Sequence, residues 1–83
     1  MAKTLAKEGK LRVVLTMMRA GAELHAHRTE GAATIQCLMG RVILHSLGRS
    51  IELIDGEMVA LDGGVEHTVK AVGESAFLLT IAQ

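Results

Sequence analysis

The sequence predicts an all-β fold in which short strands close into a barrel or a two-sheet jelly roll. Nine glycines divide the 83-residue chain at short and rather even intervals, and the stretches between them are β-branched or alternating, a rhythm typical of short strands. No window repeats apolar residues at the i, i+3, i+4 and i+7 spacing of an amphipathic helix. Because an open sheet exposes unpaired edges, closure is the usual arrangement for such a chain.

The first half of the chain predicts three strands. Leu11–Met18 follows Gly9 and is rich in apolar residues, Glu23–His27 alternates polar and small residues, and residues 34–39 end at a glycine. The segment before them, residues 2–8, is compatible with one helical turn and no more.

The second half predicts a hairpin followed by three further strands. Arg41–Ser46 continues into a turn at residues 47–50, and residues 51–54 return from it. The remaining strands are Met58–Leu61, residues 67–72 and residues 76–81. The total is about seven or eight short strands, without an internal repeat or a linker.

Composition excludes several classes of partner. Nine basic and nine acidic side chains give no net charge, which argues against a protein that binds nucleic acid through its phosphates. The longest apolar runs have three or four residues, whereas a membrane span needs about 20. We therefore expect one cytoplasmic domain over residues 1–83, with no membrane or nucleic-acid partner, and the single cysteine agrees with a reducing compartment.

A motif near the C-terminus resembles the second conserved motif of the cupin superfamily, G-x5-P-x-G-x2-H-x3-N. Gly56, Gly64 and His67 match it in spacing. Asp62 stands where proline is usual, and Ala71 stands where asparagine is usual.

An upstream segment resembles the first cupin motif, G-x5-H-x-H-x3-E-x6-G. Gly21, His27 and Gly40 are in register with it, whereas Thr29 occupies the second histidine position and Ala33 the glutamate position. The resemblance covers roughly residues 11–82 and has the short distance between motifs that is seen in small single-domain cupins.

The resemblance to RmlC-like cupins implies a double-stranded β-helix, the jelly-roll barrel, over the single domain 1–83. It also implies a divalent transition metal ion held between the two motifs, with Zn, Fe, Cu, Ni or Mn as candidates. Only His27 and His67 match ligand positions of the family.

Strand geometry offers a third ligand. Side chains alternate between the faces of a strand, so His25 shares the face of His27, with their Cα atoms ~6.6 Å apart. Three imidazoles suit such an ion and leave positions open for water or substrate. We therefore predict metal ligation by His25, His27 and His67.

Two other reactive side chains are given structural roles. We expect His45 to be a surface histidine, with a fourth metal ligand as the alternative. Cys37 is expected to be a packed apolar thiol rather than a nucleophile.

Three functions fit these features. The first is a metal-dependent cupin enzyme of oxygenase or isomerase type, with catalytic residues undefined. The second is a non-catalytic dimer that binds a small apolar or anionic molecule in a pocket lined by Ile35, Cys37, Leu44 and the histidines. The third is a structural domain whose barrel is filled by side chains. The volume of the interior distinguishes them, and the many Ala, Val and Gly residues favour remaining space.

We also expect a homodimer. An 83-residue barrel with one aromatic residue has little core, and each fully buried aliphatic side chain contributes only about 1.5–3 kcal/mol. Positions on both faces of the strand from Val13 to Met18 are apolar, so the second face needs cover. Twofold pairing is the commonest way to provide it.

Overall fold

Two antiparallel sheets form the protein in the computed structural model, which describes residues 1–82 apart from the side chains of Ala26 and His27. Each strand is short, as the spacing of the glycines predicts. The strands within the described residues are β1 Ala2–Glu8, β2 Leu11–Met18, β3 Glu23–His27, β4 Ala32–Met39, β5 Arg41–Ser46, β6 Arg49–Ile54, β7 Met58–Leu61, β8 His67–Ala71 and β9 Ser75–Ala82.

The strand order is that of a jelly roll. The larger sheet has the order β1-β2-β9-β4-β7 and the smaller sheet the order β3-β8-β5-β6, and every neighbouring pair is antiparallel. The predicted all-β, two-sheet architecture is confirmed. Within residues 1–82 there is no helix long and apolar enough to cross a membrane.

The N-terminal segment differs from the sequence prediction. Ala2–Glu8 forms strand β1 instead of a helical turn, so that expectation was wrong. An isolated seven-residue helix is marginal in water, whereas β1 pairs with β2 from Ala2↔Thr16 to Glu8↔Leu11 and gains a ladder of backbone hydrogen bonds. Tertiary pairing therefore overrides local preference here.

The core lies between the sheets and is almost entirely aliphatic. Alternation along β2 turns Val14, Thr16 and Met18 inward, where all three are buried. Phe77 on β9, the single aromatic residue of the chain, is 1% exposed and packs within this core. Its other fully or nearly fully buried apolar members are Ile35, Cys37, Val42, Leu44, Leu53, Val69 and Ala71.

The turn between β4 and β5 is fixed by a close approach to the start of β9. Gly40 has a φ of +84°, and a Cβ built there would overlap the carbonyl oxygen of Glu74 and lie 2.5 Å from Ser75 Oγ. Ser75 Oγ lies 2.8 Å from the carbonyl oxygen of Gly73 and accepts a hydrogen bond of 3.1 Å from the backbone N–H of Arg41. The contact leaves no room for a side chain at residue 40.

Replacing Gly40 with alanine should destabilise the fold more than the same change at Gly56. Both glycines have a φ of +84°, but nothing lies within 4 Å of a Cβ at Gly56. Gly56→Ala should cost about 1–2 kcal/mol for the left-handed backbone, and Gly40→Ala should cost about 1–3 kcal/mol more because of the overlap. Urea denaturation measures both, and equal midpoints would contradict the close packing of this turn.

Candidate functional site

A cavity of about 450 Å³ lies between the two sheets. Most of its walls are side chains that strand alternation turns inward from both sheets, so the cavity extends into the barrel interior. The apolar wall residues include Val14, Leu24, Ile35, Val69, Phe77 and Leu79.

A few polar side chains converge on this apolar space. Thr16 on β2 and His67 on β8 are buried, and Thr29 lies in the loop after β3. Arg12 and Arg28 also line the cavity and are exposed to solvent, so they mark its solvent-exposed border. Apolar walls with a small number of polar groups are typical of small-molecule sites.

His67 is the buried titratable group of the cavity, with 4% of its surface exposed. Its Nδ1 lies 3.3 Å from the carbonyl oxygen of Val65. Because a carbonyl oxygen only accepts hydrogen bonds, this contact assigns the proton of the neutral ring to Nδ1. In this tautomer the ring lone pair is on Nε2.

The other two histidines of the predicted metal site lie on β3. The backbone register pairs His27 with His67, but the side chain of His27 lies outside the described residues. The side chain of His25 is 86% exposed, with Nδ1 3.9 Å from Glu23 Oε1. The backbone thus brings His27 beside His67, whereas the side chain of His25 extends into solvent.

A β-bulge lies between His25 and His27, whereas the exposure of His25 follows from ordinary alternation, because the preceding Leu24 lines the cavity. Leu24 pairs with Val69 and His27 pairs with His67, so two residues of β3 lie opposite the single residue Thr68. A bulge interrupts the alternation of side chains. The assumption of unbroken alternation from His25 to His27 therefore does not hold in this strand.

The described residues do not by themselves fit a transition metal ion. Within residues 1–82, leaving aside the His27 side chain, no group of three or more His, Cys, Asp or Glu side chains is placed to hold a metal ion. Thr29 donates a hydrogen bond of 2.8 Å to the carbonyl oxygen of Gly31, and Ala33, at the motif's glutamate position, has no donor atom. Metal ligation by His25, His27 and His67 stays a prediction.

His45 and Cys37 have the positions expected from the sequence. His45 is exposed on β5, and its Nδ1 lies 2.7 Å from Oγ of Ser50, its cross-strand partner on β6. Cys37 is fully buried. Burial, and then the nearby Asp55 carboxylate, raise the pKa of the Cys37 thiol, so the neutral thiol is favoured over the reactive thiolate.

The predicted pocket lining was right in part. Ile35 and His67 line the cavity, but Cys37 and Leu44 are completely buried in the packed core and do not border it. Sequence reasoning missed the two arginines. The position of Arg12 was predictable, because it lies two residues before the inward Val14 and therefore on the same face of β2.

No protein-family model and no curated protein matches the chain. Solved structures do match. An RmlC-like cupin from Desulfovibrio desulfuricans has a TM-score of 0.90 at 26% identity, covering 99% of this chain and 80% of that one. A cupin superfamily protein from Desulfitobacterium hafniense has a TM-score of 0.94 at 15% identity, covering 99% and 75%. The chain is a cupin with the RmlC-like fold.

An enzyme is also among the structural matches of this cupin. Salicylate 1,2-dioxygenase from Pseudoaminobacter salicylatoxidans, in a structure of its adducts with gentisate, has a TM-score of 0.90 at 18% identity. The match covers 98% of this cupin but only 24% of the dioxygenase chain. At this identity the likeness concerns the fold of one domain, so function has to be argued from the cavity itself.

Proposed function

We propose that this cupin binds a small organic molecule in the cavity between its two sheets. The observation that supports the proposal is the combination of size and lining: about 450 Å³ of space with apolar walls and convergent polar groups. Ligand pockets commonly measure about 300–1,000 Å³ and have this composition.

The cavity is better suited to a ligand than to a structural role. Protein cores pack with few voids larger than a water molecule, and an unfilled apolar void lowers stability. The rest of this core is densely packed, with Val42, Leu44 and Ala71 completely buried. The open space beside Phe77 and His67 therefore argues against a barrel filled by side chains.

A metal ion is a second candidate ligand, supported by the backbone register of β3 and β8. Directly paired residues of antiparallel strands have Cα atoms about 4.5–5.5 Å apart, so His27 and His67 start from neighbouring positions. We propose that these two histidines hold a divalent transition metal ion, with His25 as the third donor. His25 would have to leave its exposed position beside Glu23 to join them.

We also propose that the cupin is a homodimer. The residues of β2 that alternate with the inward ones are Leu11, Val13, Leu15 and Met17, which we call the outer stripe. Leu11 and Met17 are 44% and 45% exposed, and the other two are half-buried. Leu15 pairs with Leu78 on the neighbouring strand β9, which extends the apolar face. A second copy would cover this face symmetrically.

Filling the cavity should weaken ligand binding strongly without unfolding the protein. Val14 is buried and lines the cavity, so Val14→Phe places a ring in the space a ligand would occupy. Val72→Phe, at a valine 46% exposed and outside the cavity lining, is the matched control. Backbone NMR titrations with benzyl alcohol and benzoate should show at least about tenfold weaker binding for Val14→Phe only. Unchanged affinity in a folded Val14→Phe variant would contradict the cavity site.

Removing His67 should abolish Zn²⁺ binding, measured calorimetrically on protein purified without an affinity tag. Because imidazole binds a metal only when neutral, affinity should also weaken below pH ~6.5. His27→Ala and His25→Ala test the other two donors one at a time, and His45→Ala serves as the control. If the variant lacking His25, His27 and His67 kept the parent stoichiometry, the metal would bind elsewhere.

The dimer predicts a solution mass of about twice the 8.8 kDa of one chain by light scattering at micromolar concentration. Leu15→Glu introduces a charge into the outer stripe and should give a monomer. Leu47→Glu changes a leucine that is 80% exposed at the β5–β6 turn and should leave the mass unchanged. A parent protein that is monomeric, or a dimer insensitive to Leu15→Glu, would contradict this interface.

A further inference from the structure

The charged groups that line the cavity are all cationic. Arg12 and Arg28 belong to its lining, and none of the described lining residues is an aspartate or a glutamate. Arg28 has an acidic neighbour outside the lining, Glu66, with 3.6 Å between Arg28 Nη2 and Glu66 Oε2. Both of these side chains are more than 60% exposed, so solvent screens their attraction.

Arg12 has no such neighbour and faces a second cation. Its direct cross-strand partner on β1 is Lys7, and directly paired residues share a face of the sheet. Among the described residues, neither side chain takes part in an ion pair or in a hydrogen bond of its own. Like charges placed directly opposite each other destabilise a strand pair. Stability of the fold therefore does not explain the pair of Lys7 and Arg12.

We infer that the ligand of this cavity is an apolar monocarboxylate whose carboxylate is held at the border by Arg12. The inference rests on the proposed small-molecule site. An arginine binds a carboxylate through two parallel N–H···O bonds. Lys7 opposite Arg12 on β1 and Arg28 elsewhere in the cavity lining add further positive charge. The body of the ligand lies against Phe77 and Leu79, where burying a second charge would be unfavourable. One anionic end and one apolar end match the two parts of the site.

The test compares benzoate with benzyl alcohol, two probes of similar size that differ in charge. The parent protein should bind benzoate at least about tenfold more tightly than benzyl alcohol. Added NaCl should weaken the binding of benzoate but not that of benzyl alcohol. Arg12→Gln should remove this preference by weakening the binding of benzoate. Lys70→Gln changes the same charge on β8, at an exposed residue outside the cavity lining, and should alter neither affinity.

Thermal unfolding without ligand provides the second readout. Because Arg12→Gln and Lys7→Gln each remove one charge of a like-charged cross-strand pair, both should raise Tm. A variant that loses benzoate binding because it unfolds would instead show a lower Tm. Equal affinities for the two probes, unaffected by Arg12→Gln, would overturn the carboxylate inference. That result would still support ligand binding in the cavity. Binding of neither probe would overturn the cavity site as well.

Discussion

The register of β2 between β1 and β9 is the constraint on which the rest of the structure depends. Because side chains alternate along a strand, this register turns Val14 and Thr16 toward the cavity and Val13 and Leu15 toward the opposite face. A slip of one residue would exchange the two sets and place Arg12 outside. One strand thus contributes part of the cavity wall, places Arg12 at the border of the cavity and carries the apolar outer stripe.

The scarcity of aromatic residues has a consequence for the interior. Phe77 is the one large ring available to the core, and the remaining space between the sheets is filled by branched aliphatic and small side chains. Around Val42, Leu44 and Cys37 these pack completely, but next to Phe77 they leave the cavity open. The same composition that limits the core therefore provides room for a ligand.

Much of the fold was predictable, because its signals are local. Glycine spacing and short alternating stretches give the strands, and the two glycine–histidine motifs give the cupin resemblance. Strand β1 was not predictable, since Ala2–Glu8 becomes extended only by pairing with β2. The same limit applies to the site: the bulge between His25 and His27, which breaks the alternation assumed for the metal ligands, depends on how β3 pairs with β8.

Strand alternation predicts the position of Arg12 at the border of the cavity, but not the positions of the other cationic side chains. Arg12 is two residues before Val14, so alternation along β2 places it on the inward face. Its opposition to Lys7, however, depends on the β1–β2 register, and the presence of Arg28 in the same cavity lining depends on how the chain folds after β3. Lys7, Arg12 and Arg28 come from three separate segments, so their spacing in the sequence does not predict that they share one region of the fold.

A crystal structure of the protein grown with benzoate tests the central claim most directly. The account predicts one benzoate between the sheets, with its ring against Phe77 and its carboxylate within hydrogen-bond distance of the Arg12 guanidinium. A cavity filled instead by the side chains of Phe77 and Leu79, with no benzoate between the sheets, would contradict it.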